Sequence, residues 1–268
     1  MKPATKPAAT PATGAPRKGA TRASDIPPEL LEALSRGEAE SVTLTEALAV
    51  DQYRLLTTVF PQLDARVLAQ AREVCQQGVL KRMTGIGALL WQVLREEGFH
   101  RCVRHGSDTV RGWACFMVGA MSDLTLDARL ALLRPLADDP HFGVREWAWM
   151  AVRPHLADAL DESIGWLLPW TREPSANLRR FVTESIRPRG VWCAHVAVLK
   201  QHPQQALPLL EALKADPAPY VQDSVANWLN DAAKDNPDWV RQLCAGWLSE
   251  DPPAATQRIC RRAMRNLR

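Results

Sequence analysis

From residue 107 onward, apolar residues recur at helical spacing, and the blocks they form recur in turn. The stretches SDTVRGWACFMV (107–118), DPHFGVREWAWMAVRP (139–154), EPSANLRRFVTESIRP (173–188) and DPAPYVQDSVANWLND (216–231) align with Val110, Val144, Leu178 and Val221 at equivalent positions, at intervals of 34, 34 and 43 residues. An apolar helical segment, ALLRPLA, IGWLLPW or ALPLLEALK, precedes each of the later blocks. An acid-Pro turn then marks the start of the second helix of the unit. A further turn of this kind opens EDPPAATQRICRRAM near the C-terminus.

A period of this length is that of two-helix solenoids. With no strand-like alternation, the pattern predicts an all-α fold, a right-handed α-solenoid (superhelix) of HEAT-like repeats over residues 27–268, clearest from 105. Residues 27–105 read as helical with a weak repeat register.

The same periodicity assigns faces. In the third block Leu178, Phe181, Val182, Ser185 and Ile186 follow the i, i+3, i+4, i+7, i+8 spacing of a buried stripe. Arg180, Glu184 and Arg187 lie opposite it. The equivalent positions are Glu146, Met150 and Arg153 one repeat earlier, and Asp223, Asn227 and Asn230 one repeat later. Second helices of a solenoid stand side by side, so these sets are expected to line one groove. Trp113 and Trp147 fall on the apolar stripe and read as core. Trp149 is out of phase with it and is expected as an exposed indole. Ordinary solvated pairs, worth about 0.2–0.5 kcal/mol each, also account for Arg180, Glu184 and Arg187.

Composition narrows the setting. Residues 1–26, rich in Ala, Pro and Thr, and residues 251–268 each carry a net +4, and the total of +3 leaves the body at −5. The first stretch is expected to be a disordered basic tail, either solubilising or attracting phosphates without sequence preference. Any nucleic-acid site must be a local patch on the acidic body. The six cysteines contain no CxxC pair, and no apolar run reaches the length of a membrane span. A cytoplasmic monomer without metal or cofactor is expected.

The pattern Glu184-x-x-Arg187-Pro188-Arg189-x-x-Trp192, followed by SVANWLNDAAKDNPDWV (224–240), resembles the DNA alkylation repair glycosylases of the AlkC and AlkD type, nearer the AlkC pattern, over roughly residues 105–250. The resemblance implies a HEAT-repeat superhelix that binds double-stranded DNA with alkylated bases. It also implies excision of 3-alkyl or 7-alkyl purines, which leave as neutral molecules. Glu184, Asp231 and Trp192 match the family's functional positions and are implied to stabilise an oxocarbenium-like sugar. Arg153, Arg180, Arg187, Arg189, Trp149 and Asn227 are the expected DNA-binding residues. Trp149 stands where the AlkC pattern has a Glu, four residues before Arg153-Pro154, and Glu146 lies one turn earlier as a substitute. A non-catalytic scaffold binding DNA or a protein is the alternative.

Overall fold

A computed structural model of the chain describes residues 17–249 and 251–267. Among these the regular elements are helices: α1 (Pro28–Arg36), α2 (Leu44–Ala49), α3 (Gln52–Val59), α4 (Ala65–Cys75), α5 (Val79–Val103), α6 (Asp108–Ala120), α7 (Leu126–Ala137), α8 (Phe142–Asp158), α9 (Leu160–Leu167), α10 (Ala176–Ser185), α11 (Ala197–Gln201), α12 (Leu207–Leu213), α13 (Pro219–Ala232), α14 (Pro237–Leu248) and α15 (Ala254–Ala263). None of them is long and apolar enough to cross a membrane. An inner row runs α6, α8, α10, α13, α15, each helix packed on the next, with α7, α12 and α14 packed behind α8, α13 and α15. The chain is a helical-repeat solenoid, as the period of its sequence predicts. Val110, Val144, Leu178 and Val221 are all buried, which confirms the alignment of the repeats.

The acid-Pro turns do more than start helices. Arg111, Arg145 and Arg179, each directly after the aligned apolar residue, donate to carbonyls five and six residues back: Gly106 and His105, Pro140 and Asp139, Pro174 and Glu173. Two of them also hold the acid of the next turn, Arg111 Nε at 2.8 Å from Asp139 and Arg179 Nε at 2.6 Å from Asp216. Those acids accept the N–H groups of His141 and Ala218, which shapes the turn itself. One residue pair per junction thus fixes both the helix start and the spacing to the neighbouring repeat.

The N-terminal boundary differs from expectation. Residues 1–16 lie outside the described residues, but 17–26 are docked on the body rather than disordered. The buried carboxylate of Glu46 in α2 requires compensation, and this segment supplies it. Arg17 donates to Glu46 Oε1 at 2.6 Å and Oε2 at 2.7 Å, and the Ala20 N–H to Oε1 at 2.8 Å. Thr43 closes the contact by donating to the Ala20 carbonyl. The folded unit therefore begins at about residue 17.

The Arg17 guanidinium holds the Glu46 carboxyl at about 2, against an ordinary 4.5. A depressed acid stabilises the fold fully above its unfolded pKa and loses that contribution as pH falls towards the folded one. Deleting residues 1–16 should leave the melting temperature unchanged. Deleting 1–26 should lower it at pH 7 and flatten its decline between pH 4.5 and 2. Thermal melts of both truncations across that range check this.

Candidate functional site

Glu184 is the penultimate residue of α10 and is only 2% exposed, not on an open polar face. The reason is the flanking of α10 by α8 and α13, which covers both of its sides. Arg187, just past the helix end, donates through Nη1 to Glu184 Oε2 (3.3 Å) and through Nε and Nη2 to Asp231 Oδ2 (2.9 and 2.7 Å). One guanidinium thus joins acids from neighbouring repeats. Lys234 completes Asp231 from 3.2 Å, one turn on in the chain. Burial works against the charge on Arg187, yet the two carboxylates raise its pKa on balance.

On the other side of Glu184 stands Arg180. Its Nη2 lies 3.1 Å from Glu184 Oε1 and 3.7 Å from Glu146 Oε1. Its guanidinium stacks on the Tyr220 ring at 4.1 Å, and Nη1 donates to the Tyr220 carbonyl. The Arg180–Glu184 contact lacks hydrogen-bond geometry, so the buried Oε1 of Glu184 keeps an unused lone pair. Glu146 is the most accessible acid of the group, with 32% of its side chain exposed. Burial, and then the charge of Glu184, push its pKa up.

Several expected DNA ligands have other occupations. Trp149 is 3% exposed, not an exposed indole, because the middle of α8 is enclosed by its neighbours in the inner row. Its Nε1 donates to Glu146 Oε2 at 2.8 Å and so positions that acid. Arg153 is buried as well. It donates to the carbonyls of Ser185 (3.1 Å), Arg187 (2.5 Å) and Ala194 (3.1 Å), holding the loop after α10 from beneath. Phosphate contact is closed to it in this arrangement. Asn227 accepts from Arg265, while Arg258 and Arg262 pair with Asp223, so the row on α13 faces α15. Arg189 is paired with Asp235 at 2.8 Å but remains partly exposed.

The loop 186–196 is closed by the Val196 N–H on the Pro188 carbonyl. Gly190 is required there, since a Cβ would stand 2.9 Å from the Arg153 Nε. Trp192 is 46% exposed on a left-handed backbone (φ 60°), a conformation that costs about 1–3 kcal/mol for a non-glycine residue. Its indole stacks on Trp147, ring centroids 6.3 Å apart. The structure therefore brings Glu184 and Asp231 together through Arg187, and sets Trp192 over α8 instead. Trp113 and Trp147 are core, as expected.

Sequence reading missed the loop-holding role of Arg153 and the part played by Tyr220, which stands where the other repeats have Gly143 and Asn177. An aromatic directly after an acid-Pro turn was the available signal for Tyr220. Nothing in the sequence marked Arg153 as buried.

No family model matches the chain. An uncharacterized protein of Bacillus subtilis, YhaZ, is 38% identical over 117 residues, which are 44% of this chain and 32% of that one. Pseudomonas fluorescens alkylpurine DNA glycosylase AlkC, solved bound to DNA containing an abasic site analog, superposes with a TM-score of 0.65 at 25% identity, over 91% of this chain and 64% of its own. This chain thus spans less than two thirds of either protein. Two Streptococcus mutans structures share the fold at 20% identity: smu.31 (TM-score 0.58, 76% of this chain and 98% of that one) and AlkD2 (0.52, 80% and 97%).

Proposed function

Because the chain has the helical-repeat fold of the alkylation repair glycosylases of the AlkC and AlkD type, we infer that it is a DNA glycosylase releasing purines alkylated at a ring nitrogen. Double-stranded DNA would lie along the inner row of helices. Such a base is already cationic and departs as a neutral molecule, so the enzyme need not protonate it strongly. What remains is to stabilise the cation developing on the sugar and to position a water, and a carboxylate can do either.

The observation that carries this reading is the free lone pair on Glu184 Oε1, buried among acids and arginines in a fold of this type. Unsatisfied buried polar atoms are rare in native proteins and call for a reason. Here the reason is a developing positive charge. Glu146, held by Trp149, adds a second and more accessible carboxylate beside it. Arg180 and Arg187 cover the acids in the free protein and are shared with phosphates when DNA binds, since a guanidinium takes a phosphate bidentately. Trp192 offers its indole face to an unstacked base or to the cationic purine.

Trp192→Ala should weaken binding to a duplex by roughly 1–3 kcal/mol, the range seen when a stacking aromatic is removed. The melting temperature should hardly move, because the indole is half in solvent. Fluorescence anisotropy beside a thermal melt checks both.

Burial of Glu184 and the double pairing of Arg187 also suit a non-catalytic DNA-binding scaffold. Incubation with methylated DNA separates the two, by counting released bases and abasic sites. The glycosylase releases 3-methyladenine or 7-methylguanine in proportion to enzyme, whereas the scaffold binds and releases nothing.

A further inference from the structure

A cleft of about 600 Å³ opens between α5, α6, the C-terminal half of α8 and residues 193–195. Its volume falls in the range of roughly 300–1,000 Å³ typical of small-molecule sites. It exists because its walls are built of small residues. Ala88, Ala120 and Ala151 leave the space, and Leu80, Phe116 and Met150 give it an apolar lining. Gly119 lets α6 and α8 approach, since a Cβ there would stand 3.0 Å from the Ala151 carbonyl.

The polar groups at the cleft are few and mostly of one kind. Arg153 is a cation in its wall, and its guanidinium is engaged by the three loop carbonyls. No phosphate is attracted by such a lining. Asp158 is exposed at the rim, with neither hydrogen bond nor ion pair among the described residues. The His155 Nε2–H is donated to the Gly119 carbonyl, which leaves Nδ1 as an acceptor. Pro154, inside α8, has no N–H to give, so the Met150 carbonyl loses its i+4 donor. The cleft therefore combines an aromatic and apolar wall with acceptors and a free carboxylate. That complements a flat heteroaromatic ring bearing N–H groups or positive charge.

The cleft is also continuous with the loop that carries the site. Cys193, Ala194 and His195, which form one wall, directly follow Trp192, and Met150 and Ala151 lie one turn beyond the Trp147 on which Trp192 stacks. We propose that this cleft receives an unstacked purine base, with Trp192 at its mouth. The inference rests on the reading of the chain as an alkylpurine glycosylase, and it adds a base-binding site across the loop from the acid cluster.

The probe is free 3-methyladenine, titrated into the full chain while the ¹³C-labelled methyl signal of Met150 is followed and assigned by Met150→Leu. A saturable shift is expected, and Ala120→Phe, which fills the cleft, should weaken the apparent affinity about 10-fold or more. Ala88→Phe serves in its place if that variant fails to fold. An unmoved Met150 signal, or one that responds equally in the filled variant, overturns the proposal. Base release from methylated DNA by the parent is measured beside it. A Met150 response in an inactive parent supports the cleft and removes the glycosylase reading. An active parent whose Met150 signal stays still removes the cleft alone.

Discussion

Arg187→Ala is expected to destabilise the protein by about 3–5 kcal/mol, the cost of breaking a buried charge network by deleting one partner. The guanidinium lies between Glu184 and Asp231, which are both buried, and it carries the direct link between them. Without it two carboxylates from adjacent repeats confront each other in a medium where their repulsion is poorly screened. Arg180 and Lys234 still lie beside one acid each, which favours the lower end of the range. The sequence reading of Arg187 as a phosphate ligand predicts a different outcome, a weaker affinity for DNA with unchanged folding. Denaturant titration separates the two. Arg189→Ala, which removes a partly exposed pair with Asp235, is the control and should cost no more than about 1 kcal/mol. Arg187→Lys keeps the charge but not the fork, and should recover only part of the loss.

Glu184→Gln is the second large effect, and it should fall on rate. The substitution keeps size and an acceptor for Arg187 but removes the negative charge that opposes the developing sugar cation. Undamaged DNA carries no such cation. Base release should therefore slow on the order of 10²-fold, the typical value of one preorganised electrostatic group, while affinity for intact duplex stays level or rises. Asp231→Asn should behave alike, and the double variant should lose less than the product of the single losses. Because Gln leaves Arg180 and Arg187 less well compensated, melting temperatures must be compared, and rates taken where each variant is fully folded.

The repeat architecture was legible because it rests on short-range signals that recur. Val110, Val144, Leu178 and Val221 are fully apolar positions at a fixed offset from a turn, and each sits in the core. The pairing of Glu184 with Arg180 and Arg187 was also readable, since i+4 and i+3 partners share a helix face. What the sequence concealed is lateral packing. An α-helix in the middle of an inner row has neighbours on both sides, so its polar face becomes an interface. Glu184, Trp149 and Arg153 all disappear from solvent for that reason. Whether a buried arginine serves acids or carbonyls depends on residues 32 to 41 positions away, as Arg153 with Ser185 and Ala194 illustrates. The docked segment 17–26 was hidden by its composition. Its apolar content predicts no core, and it is held instead by one buried carboxylate on α2.

The most direct test of the account is single-turnover release of 3-methyladenine from a defined duplex, with protein in excess, by the parent and by Glu184→Gln. The account predicts first-order release by the parent, a rate on the order of 10²-fold lower in the variant, and equal occupancy of the duplex by both. Equal rates in the two proteins would remove the acid cluster from the chemistry, and a parent that occupies the duplex without releasing base would contradict the glycosylase reading itself.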